Sequence, residues 1–309
     1  MHIHMKTRKK KRFFIFFFLL PAIIIYTCFM ALPLFNSMVM GFFTGKGLIP
    51  NQFCGLQNYI KLFTKMPYKE RFFNAFWNNV KYFLMLLVIQ NLIGLFISLL
   101  VTIKFPGNTF FRRITFLPTT LSVLVAGFLF CLILNPIWGF LNKFLIEIGL
   151  ESWARPWLGD PATALPSISF VTAWQYIGIP ILFFTAAIDG IDNEIFEAAK
   201  IDGAGFWSSA KYITLPLIIP AIKIITILTF VGNFTQMAIV YAMAGTYGAP
   251  GYTTDIFGTL FYRSTFATID RGGWGIGMGS TIASVMFIII AIVILFFMFF
   301  FKSIESKKE

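Results

Sequence analysis

Acidic side chains are the scarcest chemistry in this sequence: 13 Asp and Glu stand among 309 residues, against 25 Lys and Arg. Charges of both signs make up 12% of the chain, about half the share found in a soluble domain. Histidine occurs twice, at His2 and His4 in the N-terminal tail. No nucleophile–base pair and no cluster of metal-ligating residues can be assembled from so few groups, which argues against a membrane-bound enzyme. Cysteine is nearly as rare. Cys28 and Cys131 fall inside apolar stretches and Cys54 stands alone in a polar loop, so neither a disulfide framework nor a metal motif is present.

Nucleotide-binding motifs are missing too. Gly41-Phe42-Phe43-Thr44-Gly45-Lys46-Gly47 resembles a phosphate loop only superficially. It is one residue short between its glycines and lacks the Ser or Thr that should follow the lysine. Gly275, Gly277 and Gly279 enter an apolar helix rather than follow a strand, so they read as sites of close helix packing. The net charge of +12 does not point to nucleic acid, because Lys and Arg gather at the edges of apolar blocks rather than on a soluble domain.

Apolar residues are what the chain has in excess, at 58%. They lie in blocks longer than about 18 residues, which an ordinary core cannot hide. The expected fold is all-α: a polytopic membrane protein with six transmembrane helices and a cytoplasmic coupling helix. The spans are placed near 13–42, 80–103, 114–135, 166–189, 216–244 and 276–301. Residues 1–12 form a basic tail, 13–301 a single six-helix domain, and 302–309 a second tail. The basic start with its long apolar run is read as an uncleaved first span rather than a signal peptide. Pro21, Pro33, Pro118, Pro180 and Pro220 interrupt spans, which is tolerated where neighbours re-satisfy the freed backbone groups.

Basic residues set the orientation. Lys6, Arg8 to Arg12, Lys104, Arg112, Arg113, Lys200, Lys211, Lys302, Lys307 and Lys308 would share one side, in short loops. Lys46, Lys61, Lys65, Lys69, Arg71, Lys143, Arg155, Arg263 and Arg271 are spread over longer loops on the other. The positive-inside rule then puts both termini and the loop over 190–215 in the cytoplasm. On the outer side, Phe140, Leu141, Phe144, Leu145 and Ile148 recur at helical spacing. They suggest an interfacial helix that either covers the bundle's outer end or serves as a platform for an outside partner.

The 190–215 loop has a helical pattern. Asp192 or Asn193 can cap its start, Glu194, Glu197, Ala198 and Lys200 favour helix, and Gly203 and Gly205 allow the stop. Helix pattern alone would fit an ordinary amphipathic connector. However, Glu197-Ala198-Ala199, then Gly203, then Ile213, Leu215 and Pro216 resembles the EAA loop of permease subunits in binding-protein-dependent ABC importers, filling every position of that motif. Further stretches are similar to the sugar permeases of that class. They are Gly55 to Tyr59 with Leu62-Phe63, Phe76-Trp77 and Asn79; Phe111-Arg112 and Leu117-Pro118; Asn135-Pro136 and Gly139 to Asn142; and Pro250 to Asp255 with Tyr262-Arg263 and Phe266. The side resembled is that of the maltose-type first permease. Family members often carry an Asp in the fifth span where this chain has Ala238, so the resemblance does not extend to fine sugar specificity.

The resemblance implies ATPase contact for Glu197, Ala198, Ala199 and Gly203, with the flanking Glu194 and Asp202 grouped alongside. It also implies a second permease subunit, two ATPase subunits and an extracytoplasmic sugar-binding protein as partners. The setting would be a bacterial inner or cytoplasmic membrane with its lipid. ATP and magnesium would belong to the ATPase, leaving no cofactor on this chain.

Polar residues within a span need neighbouring helices or a wet cavity as partners. Thr229, Asn233 and Gln236 stand at i, i+4 and i+7 on one face of the fifth span. Hydroxyls and amides without charge suit a carbohydrate substrate, whereas the same groups could make interhelical bonds; the resemblance favours the pathway. Trp174, Tyr176 and Gly178 beside Pro180 offer aromatic faces and space, or else an interfacial anchor. Thr119 and Ser122 form a weaker contribution. An ion-coupled secondary transporter is the alternative, but such proteins bury ionisable groups in their spans, and none of the acidic residues falls well inside one here.

Overall fold

The computed structural model describes residues 14, 16–45, 50–102, 107–266 and 274–305. The basic N-terminal tail, Lys46 and Gly47, Lys104, Arg271, Lys307 and Lys308 lie outside the described residues. Among the described residues, three helices are each long and apolar enough to cross a membrane: α1 (Phe16–Met40), α3 (Tyr68–Val101) and α14 (Ile276–Glu305). Three more candidate spans are bent pairs: α4 (Phe110–Thr120) with α5 (Val123–Ile133), α7 (Ala164–Tyr176) with α8 (Gly178–Asp189), and α10 (Phe206–Leu217) with α11 (Ile219–Thr235). The remaining helices are short: α2 (Gln57–Thr64), α6 (Phe140–Glu147), α9 (Asn193–Ile201), α12 (Ala238–Ala244) and α13 (Phe257–Phe266).

The bends follow from the sequence. Proline has no N–H to give to the carbonyl four residues earlier, and its ring crowds that carbonyl. Pro180 therefore loosens the turn at Ile177, where the fourth span bends by 46°. Pro220 does the same at Ile218, where the fifth bends by 68°. The third span turns by 96° through Leu121 and Ser122, both with extended ψ values of 145° and 134°. The Leu121 carbonyl left free there accepts the Gln175 Nε2–H at 3.0 Å. That is how a broken helix stays viable in lipid.

The fifth span differs from expectation. It begins at Phe206 and ends at Thr235 instead of continuing to Ala244. Gln236 turns extended (ψ 135°) and its Oε1 accepts the Met237 N–H at 3.0 Å, which stops the helix. The separate α12 then packs on α5, where a Cβ on Gly127 would lie 2.8 Å from Ala242 Cβ.

The chain forms two compact units, residues 1–62 with 264–285, and residues 63–263 with 286–309. In the first, α1 exposes its side chains along nearly all its length. A small hairpin pairs β1 (Phe43–Thr44) with β2 (Gln52–Phe53). Asn58 Nδ2 donates to the Gly41 and Phe43 carbonyls, both at 3.0 Å. Gly277 and Gly279 are needed for close approach, since a Cβ would collide with the Phe43 carbonyl and with Thr265.

The second unit has its main core among Tyr82 and Leu86 of α3, Leu165 and Ile168 of α7, and Ile239 and Val240 of α12. A second cluster joins Leu99, Ile188, Ala210 and Ile218. Inside a bilayer, burial against lipid-like neighbours gives little drive, so packing and interhelical hydrogen bonds carry the association. Such bonds are present. Tyr82 Oη and Thr172 Oγ1 are 2.6 Å apart, and Thr229 Oγ1 donates to Asn91 Oδ1 at 3.1 Å.

Candidate functional site

A cavity of about 300 Å³ lies between α3, the α7–α8 bend and α11. Thr229, Asn233 and Gln236, which share one helix face, all line it, and so does Tyr176. Opposite them stand Tyr82, Leu86 and Gln90 on α3 and Thr172 on α7. Among the described residues, no ionisable acid or base lines this cavity apart from the two tyrosines. The wall is thus made of hydroxyls, carboxamides, an aromatic pair and aliphatic side chains.

Most of its polar groups already have protein partners. Asn79 Nδ2 donates to the Asn233 carbonyl at 3.2 Å, and Asn79 Oδ1 accepts the Phe257 N–H at 2.7 Å. The Asn233 carboxamide lies against the same turn, with its nitrogen 3.2 Å from the Asn79 carbonyl and its oxygen 3.0 Å from the Phe83 N–H. Thr229 is held by Asn91, and Gln236 by its own chain. The stripe therefore both lines a cavity and joins helices.

The other residues singled out in the sequence sit elsewhere. Trp174 packs edge-on against Phe130, with ring centroids 5.0 Å apart. Gly178 makes room for the third span rather than for a ligand in this cavity, because a Cβ there would lie 2.7 Å from the Thr115 carbonyl and 2.8 Å from Phe116 Cα. Thr119 Oγ1 donates to the Phe116 carbonyl at 2.6 Å, and Ser122 is the residue preceding α5; neither borders the cavity.

The loop between the fourth and fifth spans is a built projection. Asp192 occupies the N-cap position of α9 without a side-chain capping bond, and Glu194 lies in the first turn, where the helix dipole favours negative charge. At the other end Gly203 takes φ +79°. Its N–H donates to Lys200 O at 3.0 Å and the Ala204 N–H to Ala199 O at 2.8 Å, which is the Schellman pattern. Ala199 faces inward, whereas Glu194, Glu197, Ala198, Asp202 and Gly203 are exposed. Ile201 is 87% exposed, an apolar tip on a polar helix. A groove of about 570 Å³ adjoins the helix, bordered by Leu99, Ile188, Phe196, Lys200, Phe206 and Thr214.

One cluster is absent from the sequence-derived candidates. Asp255 is fully buried and meets Arg263 through two bonds, Nη2 to Oδ2 at 2.7 Å and Nη1 to Oδ1 at 3.1 Å. Thr259 Oγ1 also donates to Oδ1 at 2.8 Å, and Arg263 Nη1 reaches the Thr246 carbonyl at 2.7 Å. Burial pushes the Asp255 carboxyl above the ordinary carboxylate value, and Arg263, Thr259 and Arg71 oppose that rise. Asn74 and Asn78 bind the Tyr252 carbonyl at 2.8 and 3.1 Å, and the Arg71 guanidinium lies 3.4 Å from the Tyr252 ring centre. The 246–256 loop is thereby tied to α3. Both residues lie in stretches that resemble the sugar permeases, but nothing in their spacing signals a buried pair.

Comparison with known proteins agrees with this architecture. The family model for binding-protein-dependent transport system inner membrane components matches residues 90–308. The "Probable ABC transporter permease protein YurN" of Bacillus subtilis is 34% identical over 283 residues, covering 91% of this chain and 93% of that protein. The "Arabinooligosaccharides transport system permease protein AraP" of Halalkalibacterium halodurans is 30% identical over 275 residues, covering 87% and 83%. The "Lactose transport system permease protein LacF" of Rhizobium radiobacter is 28% identical over 272 residues, covering 88% of each. In fold, the chain matches one from the crystal structure of a bacterial ABC transporter involved in the import of the acidic polysaccharide alginate. The TM-score is 0.80 at 21% identity, over 97% of this chain and 99% of the other. With its apolar spans and a family match over most of its length, this multi-pass membrane chain belongs to the inner membrane components of binding-protein-dependent transport systems.

Proposed function

We propose that this permease lines half of the pathway by which an ATP-driven importer carries a neutral sugar or oligosaccharide across the cell membrane. The cavity wall carries this reading: it offers hydroxyls, carboxamides and aromatic faces, with no cation or carboxylate among the described residues. Such a surface matches ring hydroxyls and the apolar faces of a pyranose, and it gives a coupling ion no charged ligand. Relatives named for lactose and arabinooligosaccharide transport support the same class.

In this reading both termini and the α9 loop lie in the cytoplasm, where Lys and Arg are denser. Two ATPase subunits bind ATP and magnesium, and this chain holds no cofactor. A second permease completes the pathway, and an extracytoplasmic binding protein delivers the sugar. The exposed, glycine-stopped α9 seats Glu194, Glu197, Ala198, Asp202 and Gly203 on an ATPase, and ATPase closure moves the joined spans in alternating access. Co-purification from a membrane extract tests this. An ATPase and a second permease should accompany the chain, and the assembly should accumulate sugar only with ATP. Recovery as a lone, proton-driven transporter would replace the reading with ion coupling.

A further inference from the structure

We infer that Gln90 reads substrate hydroxyls in this pathway, an inference that rests on the proposed carbohydrate function. Gln90 sits in a π-helical turn, Leu87–Leu92, inside the otherwise α-helical α3. It is 7% exposed and borders the cavity together with Tyr82 and Leu86. In a continuous α-helix, residues four apart drift by about 40° around the axis, so position 90 would stand well off the line of 82. A π turn, closed by i→i+5 bonds, rotates less per residue and undoes much of that drift. The turn thus aims the carboxamide at the same cavity as Tyr82 and Leu86. Single π turns of this kind recur at functional sites.

Its hydrogen bonding separates Gln90 from most of its neighbours. Tyr82 is engaged with Thr172, Thr229 with Asn91, Asn233 with the Asn79 turn, and Gln236 with the Met237 N–H. Among the described residues, nothing hydrogen-bonds the Gln90 amide. A carboxamide offers two donors and an acceptor oxygen with two lone pairs, which matches a pair of ring hydroxyls, each both donor and acceptor. Buried polar groups need partners. The cavity is where this one can find them, in water first and in sugar during passage.

The test uses the whole importer with its binding protein. A panel of lactose, cellobiose, maltotriose and raffinose is screened for ATPase stimulation, and the strongest is compared with its monodeoxy analogues in uptake. Gln90→Leu should lower the discrimination between the sugar and at least one analogue roughly three- to tenfold, the worth of one neutral hydrogen bond. Unchanged discrimination against every analogue would overturn the inference. Should Gln90→Leu fail to assemble, Gln90→Cys and Gln236→Cys, with the native cysteines replaced by serine, are treated with a trimethylammonium-ethyl methanethiosulfonate reagent during ATP turnover. Modification of both supports the inference. Modification of residue 236 alone defeats the role of Gln90 and leaves the pathway standing. If neither reacts, or no sugar stimulates the ATPase, the pathway reading falls and this inference with it.

Discussion

Asn233 on α11 meets α3 at one turn, with the two ends of its carboxamide 3.2 Å from the Asn79 carbonyl and 3.0 Å from the Phe83 N–H. Asn79 returns the contact by donating to the Asn233 carbonyl and accepting the Phe257 N–H. Two spans and the start of α13 therefore share one buried amide cluster at the edge of the cavity. Any movement that widens the cavity between α3 and α11 must break it.

Asn79→Leu should remove both side-chain bonds and leave the Phe257 N–H buried without a partner. A loss of about 1–3 kcal/mol is expected. It should show as a lower melting temperature of the purified, detergent-solubilised complex. A variant that melts with the wild type would mean that the cluster does not hold α3 to α11.

Gly203→Ala isolates backbone conformation from packing. A Cβ at this position meets nothing within 4 Å, yet the residue needs φ +79°. The substitution should strain the stop of α9 by about 1 kcal/mol. Because the helix would still be present, ATP hydrolysis by the assembled complex should persist while uptake per ATP falls. Gly203→Asn, which tolerates the left-handed region better, should be milder. Equal coupling in all three proteins would deny the helix end a part in energy transfer.

Arg263→Met should be more damaging than the paired replacement Arg263→Met with Asp255→Leu. Removing one partner leaves a buried carboxyl beside the Thr246 carbonyl, a loss of about 3–5 kcal/mol, whereas an apolar pair avoids the orphaned group. Limited trypsin digestion of the complex should cut the Arg263→Met protein fastest. If the double variant is as labile as the single one, the pair serves more than neutralisation.

Several of these relationships were legible in advance to different degrees. The i, i+4, i+7 spacing of Thr229, Asn233 and Gln236 was enough to place them on one face, because a helix has a fixed angular step. The same regularity hid Gln90, since an α-helical reading has no π turn. Gly178 was visible as small but not as the contact point for Thr115 and Phe116, which lie some sixty residues earlier. The sequence shows Asp255 and Arg263 only as polar residues between apolar blocks, and their pairing depends on how α13 meets the 246–256 segment.

The sequence by itself determined that this is a helical, multi-pass membrane protein with a glycine-stopped helix between its fourth and fifth spans. Long apolar blocks have no other stable home, and a left-handed stop calls for glycine. Tertiary structure alone decided which polar side chains of the cavity are engaged and which remain available. That outcome depends on partners distant in the chain, such as Asn79 for Asn233 and Asn91 for Thr229, and on one π turn that resets the facing of α3. Hydrogen-bond satisfaction is a property of the assembled helices, so no single segment could reveal it.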